Sequence, residues 1–236
     1  MNELGNWISG RSQTPFYARK EFLVEKKLYS AVAYVCGLGQ FIFHINGQKV
    51  SDHELDPGWT NYERKIQYVR FDVTEFLHTG KNVLGAQVGN GWFLKEDEHY
   101  TFTFPAFMPP NPNPYKPFGK ELVLAVKLVL SYEDGTEEIL YGDESFKVKK
   151  HPVKMSNVYG SETYDASLEQ PGWDREAFDD SDWESASVVP EAEAPAGELV
   201  EQFQPAVKVI RSYPAKYLYS VCDRDIYDLG QNVSEC

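Results

Sequence analysis

The sequence predicts an all-β chain: an antiparallel β-sandwich of jelly-roll type, with a partial second β segment at the C-terminus. Three observations lead there. Apolar residues alternate with period two through the first 150 residues, turn signals recur about every 8 to 12 residues, and helical signal is weak. The aromatic content agrees, since 15 Tyr, 14 Phe and 5 Trp suit a pleated, half-buried surface.

Each element has its own signal. In QFIFHINGQKV, Phe41, Phe43 and Ile45 alternate with Ile42, His44 and Asn46, and Asn46-Gly47 supplies the two left-handed positions of a tight hairpin turn. In ELVLAVKLVLSYEDGTEEILY, Leu122, Leu124, Val126, Leu128, Leu130 and Tyr132 share one face. Asp134-Gly135 turns that strand back into 137–141. Further strands are expected near 18–25, 29–36, 66–72, 82–88 and 145–150. Two short helical turns are expected, one at 74–78 with Thr74 as N-cap and Gly80 as its end, one at 175–178.

Two stretches interrupt the pattern. Residues 95–119, KEDEHYTFTFPAFMPPNPNPYKPFG, hold too many prolines for regular pairing and predict a long loop beside GNGWF. Residues 185–206 are rich in Pro, Ala and Glu. The resulting division is a sandwich over 1–184, an acidic linker over 185–206, and the start of a second, truncated β-domain over 207–236. That last piece is expected to pair VKVIRSY with KYLYSV.

Charge and composition exclude several function classes. The net charge of −13 repels phosphate backbones and argues against nucleic-acid binding. Residues 174–201 hold ten acids and one base, so most of that charge sits in one segment, as expected of a solvated linker. The three cysteines, Cys36, Cys222 and Cys236, show no zinc spacing, and Cys36 in AVAYVCGL reads as a small buried hydrophobe. MNELGNWISG has neither a basic nor an apolar leader region, and no apolar run is long enough to span a membrane. The expectation is a soluble, cytoplasmic chain.

The candidate site lies in LDPGWTNY and GNGWF. Trp59 follows Pro57-Gly58, and Trp92 follows Gly89-Asn90-Gly91, where glycine permits close backbone approach. Sugar C–H faces stack on indole rings, while Asp, Asn and Tyr bond hydroxyls. Asp56, Trp59, Tyr62, Asn90 and Trp92 therefore define a candidate sugar-binding rim. The alternative is that Trp59 and Trp92 pack together under the Pro-rich loop or seat another domain. Trp173 and Trp183 read as packing residues that pin the acidic segment.

Glycoside hydrolysis needs two carboxyl groups, one held protonated by its surroundings. The acids of SDHELDPGW (Asp52, Glu54, Asp56) and of KEDEHY (Glu96, Asp97, Glu98, beside His99) read instead as solvated loop faces, so no catalytic residue is assigned. Calcium requires six to eight oxygens. Asp97, Glu98, Asn111 and Asn113 are the candidate calcium ligands.

The blocks ARKEF (18–22), LYSAVAYVCGLGQFIFHINGQKV (28–50), LDPGWTNYERKIQYVRFDVTEFL (55–77), NVLGAQVGNGWF (82–93), ETYDA (162–166), GWD (172–174) and YDLGQN (227–232) are familiar in order and spacing. Together they resemble the N-terminal region of bacterial α-L-rhamnosidases across nearly the whole chain. The resemblance implies a carbohydrate-binding-module-like sandwich that assists recognition of rhamnose-containing glycans, with related modules taking L-rhamnose together with Ca2+. It also implies that YDLGQN opens a second β-domain leading to an (α/α)-barrel, whose acids hydrolyse terminal α-L-rhamnosyl groups with inversion. The chain carries Glu235-Cys236 where the family has Gly after the Ser, and it stops before that barrel. The expectation is a fragment inactive alone, free to dock a catalytic domain or to self-associate, or else a purely structural support with no ligand.

Overall fold

Side-chain alternation decides which face each strand buries. Gln40–Ile45 buries Phe41, Phe43 and Ile45 and leaves the intervening residues half-exposed. Val123–Tyr132 buries Leu124, Val126, Leu128, Leu130 and Tyr132 along one face. In the computed structural model, residues 3–94, 118–157 and 161–231 are described.

Two sheets face each other across these apolar sides. The first runs in the order Ser187–Val188, Ile8–Ser9, Val123–Tyr132, Leu28–Leu38, Lys65–Asp72, Glu198–Glu201, with Glu137–Tyr141 also paired to Val123–Tyr132. The second runs Glu184–Ser185, Lys147–Lys150, Phe16–Val24, Gly80–Gly89, Gln40–Ile45, Gln48–Lys49. Pairing within them is antiparallel except at one edge, where Glu198–Glu201 lies parallel to 65–68. The all-β sandwich expected from the sequence is the observed architecture. Its main core interleaves Phe16, Phe43, Leu84 and Val88 from one sheet with Val35, Phe71, Val126 and Leu128 from the other.

The outer faces are covered too. Leu4, Trp7, Tyr62, Ile66, Phe93 and Val123 form a second cluster outside the first sheet. Tyr17, Trp173 and Trp183 form a third, with Tyr17 and Trp173 ring centroids 4.7 Å apart. Trp173 and Trp183 thus hold the 172–183 stretch down, as their apolar bulk requires.

Turn chemistry is partly as expected. Asn46 and Gly47 both adopt positive φ, 51° and 82°, and join Ile45 to Gln48. At 132–136 only Gly135 is left-handed, so the loop is three residues long with the glycine at its last position.

Four expectations change. The 3-10 turn spans Thr74–Phe76 with Val73 at its N-cap, because the Thr74 hydroxyl is engaged with Ala31 and with the Asp72 carboxylate. At 175–178 there are turns and a bend rather than a helix, and a 3-10 turn appears instead at Ala166–Leu168. The 185–206 stretch contributes Ser187–Val188 and Glu198–Glu201 to the first sheet. Finally, KYLYSV pairs with 224–228 and not with VKVIRSY, whose Val207–Lys208 pairs with His53–Glu54. The hairpin closes through Cys222 and Asp223, both left-handed at φ 48° and 59° with no glycine to announce them.

Candidate functional site

The Pro57-Gly58 turn is held from both ends. The Asp56 carbonyl accepts the Phe41 N–H at 2.7 Å, which fixes the turn to the second sheet. The Asp56 carboxylate accepts from His53 Nδ1 at 2.8 Å and from Gln202 Nε2 at 3.4 Å. Asp56 is only 4% exposed. It is a buried acceptor with its partners in place, rather than the solvated rim group its neighbours suggested.

Three glutamines clip the turn to the C-terminal arm. Gln202 Oε1 accepts the Gly58 N–H at 2.7 Å, and Gln67 Nε2 donates to the Gly58 carbonyl at 2.8 Å. Gln67 Oε1 accepts the Phe203 N–H at 3.1 Å, and its Nε2 also lies 3.1 Å from Gln204 Oε1. A Cβ at Gly58 would stand 2.0 Å from Gln204 Oε1, so a larger residue there would displace the Gln204 side chain from the clip. Sequence reasoning missed Gln67, Gln202 and Gln204. Gln67 is 0% exposed on a strand where an apolar residue is the rule, and QFQ sits in a polar tail that carries no motif.

Of the five rim residues, two meet. Trp59 is 53% exposed and faces Trp92 with ring centroids 5.6 Å apart and planes inclined by 34°. Trp92 is half-buried against the second cluster. Tyr62 is 3% exposed, edge-on to Phe93 at 5.6 Å and to Phe118 at 5.2 Å, and burial pushes its hydroxyl pKa well above the ordinary range. Asn90 is buried, with Oδ1 accepting the Ser156 N–H at 3.0 Å and Nδ2 donating to the Gln13 carbonyl at 3.5 Å. A Cβ at Gly39 would stand 1.7 Å from the Asn90 carbonyl oxygen, which shows how tightly that turn is seated. Of the five, the exposed surface at these turns is the indole pair, whereas Asp56, Tyr62 and Asn90 are buried.

Two clefts flank the turns. One of about 450 Å³ lies among Tyr62, Phe93, Phe118, Lys120, Glu193 and Ala194. The other, about 320 Å³, lies beside the glutamine clip and is lined by His53, Arg70, Glu201, Gln204 and Lys208. The calcium candidates Asp97, Glu98, Asn111 and Asn113 lie outside the described residues, as do the other acids of KEDEHY. Among the described residues no group of three or more His, Cys, Asp or Glu is placed to hold a metal ion.

Beyond the clip the arm 203–231 is largely uncovered. Phe203, Val209, Tyr217, Tyr219 and Val221 are exposed, and Ile210 is 98% exposed. The hairpin Lys216–Val221 with Arg224–Asp228 pairs only with itself among the described residues. One face carries a short polar chain, Tyr217 to Ser220 at 2.8 Å and Ser220 to Asp225 at 2.5 Å. The other brings Tyr219 opposite Ile226.

Comparison with known proteins agrees with this architecture. The family described as "Alpha-L-rhamnosidase N-terminal domain" matches residues 26–211. The chain belongs to that family. An α-L-rhamnosidase of Formosa agariphila is 34% identical over 225 residues, covering 92% of this chain and 22% of that protein. The solved α-L-rhamnosidase of Aspergillus terreus superposes with a TM-score of 0.79 at 28% identity, covering 96% of this chain and 26% of the other. That of Streptomyces avermitilis, solved with L-rhamnose, gives 0.76 at 28% identity, covering 93% and 20%. The chain thus spans about a fifth to a quarter of the proteins it matches.

Proposed function

We propose that this chain is a non-catalytic β-sandwich domain of a larger α-L-rhamnosidase, and that its 203–231 arm packs against the remainder of that enzyme. The observation that carries this reading is the uncovered apolar surface of the arm. Contiguous exposed apolar surface marks interaction sites, and an isolated two-stranded hairpin is marginal in water. The matched relatives are four to five times longer than the matched region, which supports a missing partner domain. Rhamnose glycosides are the substrate class of such an enzyme. Hydrogen exchange tests the reading. The amides of Lys216–Val221 exchange far faster than those of Leu28–Leu38 in the isolated chain; protection equal to that of the core would contradict it.

A second reading rests on a separate observation, the half-exposed Trp59 set against Trp92. An indole pair of this kind stacks the C–H face of a sugar. The relative solved with L-rhamnose supports that sugar as the first ligand to try. Titration of L-rhamnose into the protein, with calcium present, is expected to change tryptophan fluorescence saturably in the wild type and not in Trp59→Ala. A flat wild-type titration would remove this reading and leave the first intact.

A further inference from the structure

Three side chains and a carboxylate on the outer face of the second sheet form one unbranched chain of hydrogen bonds. The Val153 N–H donates to His151 Nδ1 at 3.0 Å. His151 Nε2 lies 2.8 Å from Gln87 Oε1, Gln87 Nε2 lies 3.2 Å from His44 Nε2, and His44 Nδ1 lies 2.7 Å from Asp174 Oδ2. A backbone N–H can only donate, and that fixes every other proton. His151 Nδ1 must accept, so its Nε2 carries the hydrogen and donates to Gln87. The Gln87 amide nitrogen can only donate, so His44 Nε2 accepts. His44 Nδ1–H then donates to the carboxylate. Both imidazoles are neutral, in opposite tautomers, and the chain has no place for one more proton.

An added proton moves the conflict to one end. Its charge is best stabilised on His44, 2.7 Å from the Asp174 carboxylate. His44 Nε2–H then needs an acceptor, and the Gln87 amide supplies one by turning over. The turned amide presents its N–H groups to His151 Nε2, which must now accept. The hydrogen of His151 is forced to Nδ1, where it meets the Val153 N–H head-on. Burial of the His151 ring, which pushes its pKa from 6.5 down to about 4, keeps that ring neutral while this happens.

Other titratable groups near the chain do not relieve the clash. Arg175 adjoins Asp174, and Lys49, paired opposite His44, is tied to Glu54 at 2.6 Å. Tyr17 covers His151 at 4.4 Å, and Tyr164 and Glu169 stand near the Tyr17 hydroxyl. None of them offers an acceptor to His151 Nδ1.

Val153 begins the Val153–Asn157 strand, which among the described residues pairs with Ser161–Tyr164 and with neither main sheet. The Ser156 N–H of that strand holds Asn90, two residues before Trp92. We propose that the Val153–His151–Gln87–His44–Asp174 chain is a pH-sensitive catch: one proton, taken up at His44, releases Val153 and loosens the pairing of Val153–Asn157 with Ser161–Tyr164 together with its hold on the Asn90 turn. The inference stands whether or not Trp92 meets a sugar.

The test is NMR of the whole chain. At pH 7.5 the expected tautomers are Nδ1–H for His44 and Nε2–H for His151. As the pH is lowered from there, His151 is expected to change to Nδ1–H while still neutral, and protection of the Val153 amide to fall at least tenfold, with Leu28–Leu38 unchanged. His151 holding its Nε2–H tautomer throughout would overturn the proposal. In Gln87→Glu the carboxylate accepts from both rings, so the acid loss of Val153 protection is expected to vanish; its persistence would also overturn the proposal. Should that variant fail to fold, the wild-type tautomers decide alone.

Discussion

Trp59 and Trp92 stand on separate turns yet bring their rings to 5.6 Å, the first more than half exposed and the second half-buried. Their substitutions are therefore expected to differ. Trp59→Ala costs under about 1 kcal/mol of stability, because an exposed side chain loses little on truncation. Trp92→Ala costs about 2 kcal/mol, because it opens the second cluster. Urea denaturation of the two variants separates these values. A larger loss for Trp59 than for Trp92 would contradict the packing described.

Tyr62 acts through its ring. Phe93 and Phe118 meet it edge-on inside the second cluster. Tyr62→Ala is expected to cost about 3–5 kcal/mol, in the range for a buried aromatic, and Tyr62→Phe under about 1.5 kcal/mol. Denaturant midpoints decide it, with equal losses in both variants pointing to the hydroxyl rather than the ring.

Arg19 is the charged anchor of the 172–183 stretch. It is 1% exposed, donates to the Trp173 carbonyl at 2.9 Å and the Arg175 carbonyl at 3.2 Å, and pairs with Glu21 and Asp180. Arg19→Met leaves those acceptors without a donor and is expected to cost about 3 kcal/mol. Near-UV circular dichroism, which reports the packing of Trp173 and Trp183, is expected to change with it. An unchanged spectrum and midpoint would show that the stretch is held by its tryptophans alone.

Acid sensitivity follows from His151. Its folded pKa is pushed from 6.5 to about 4 by burial, so between those values the unfolded chain binds a proton that the folded chain refuses. Stability is full above pH 6.5 and falls as pH drops toward 4, with no further loss from this group below that. With allowance for the ring's partial exposure, the loss is about 2 kcal/mol. Urea midpoints measured from pH 8 to 4 are expected to decline, and His151→Gln to flatten the decline. A decline of equal size in that variant would assign it to other groups.

Much of the architecture was legible because period-two burial and turn chemistry speak locally. Gln40–Ile45 and the Asn46-Gly47 turn needed no distant information. The Cys222-Asp223 turn was hidden because two ordinary residues take left-handed φ there, and the strand partner was consequently misassigned. At the candidate site, motif spacing found both indoles but could not tell an exposed aromatic from a buried one. Trp59 and Tyr62 are three residues apart on the same turn and face opposite environments. The glutamine clip was illegible for a different reason. Gln67 is buried only because Gly58, Phe203 and Gln204, distant in sequence, satisfy it.

The central claim is that the 203–231 arm is an interface, and sedimentation velocity of the isolated chain tests it most directly. With Val209, Ile210, Tyr219 and Val221 exposed and no partner domain to cover them, concentration-dependent self-association is expected. It is expected to disappear in a Tyr219→Ser, Val221→Ser double variant. A chain that remains a single monomeric species at every concentration, wild type and variant alike, would contradict the account.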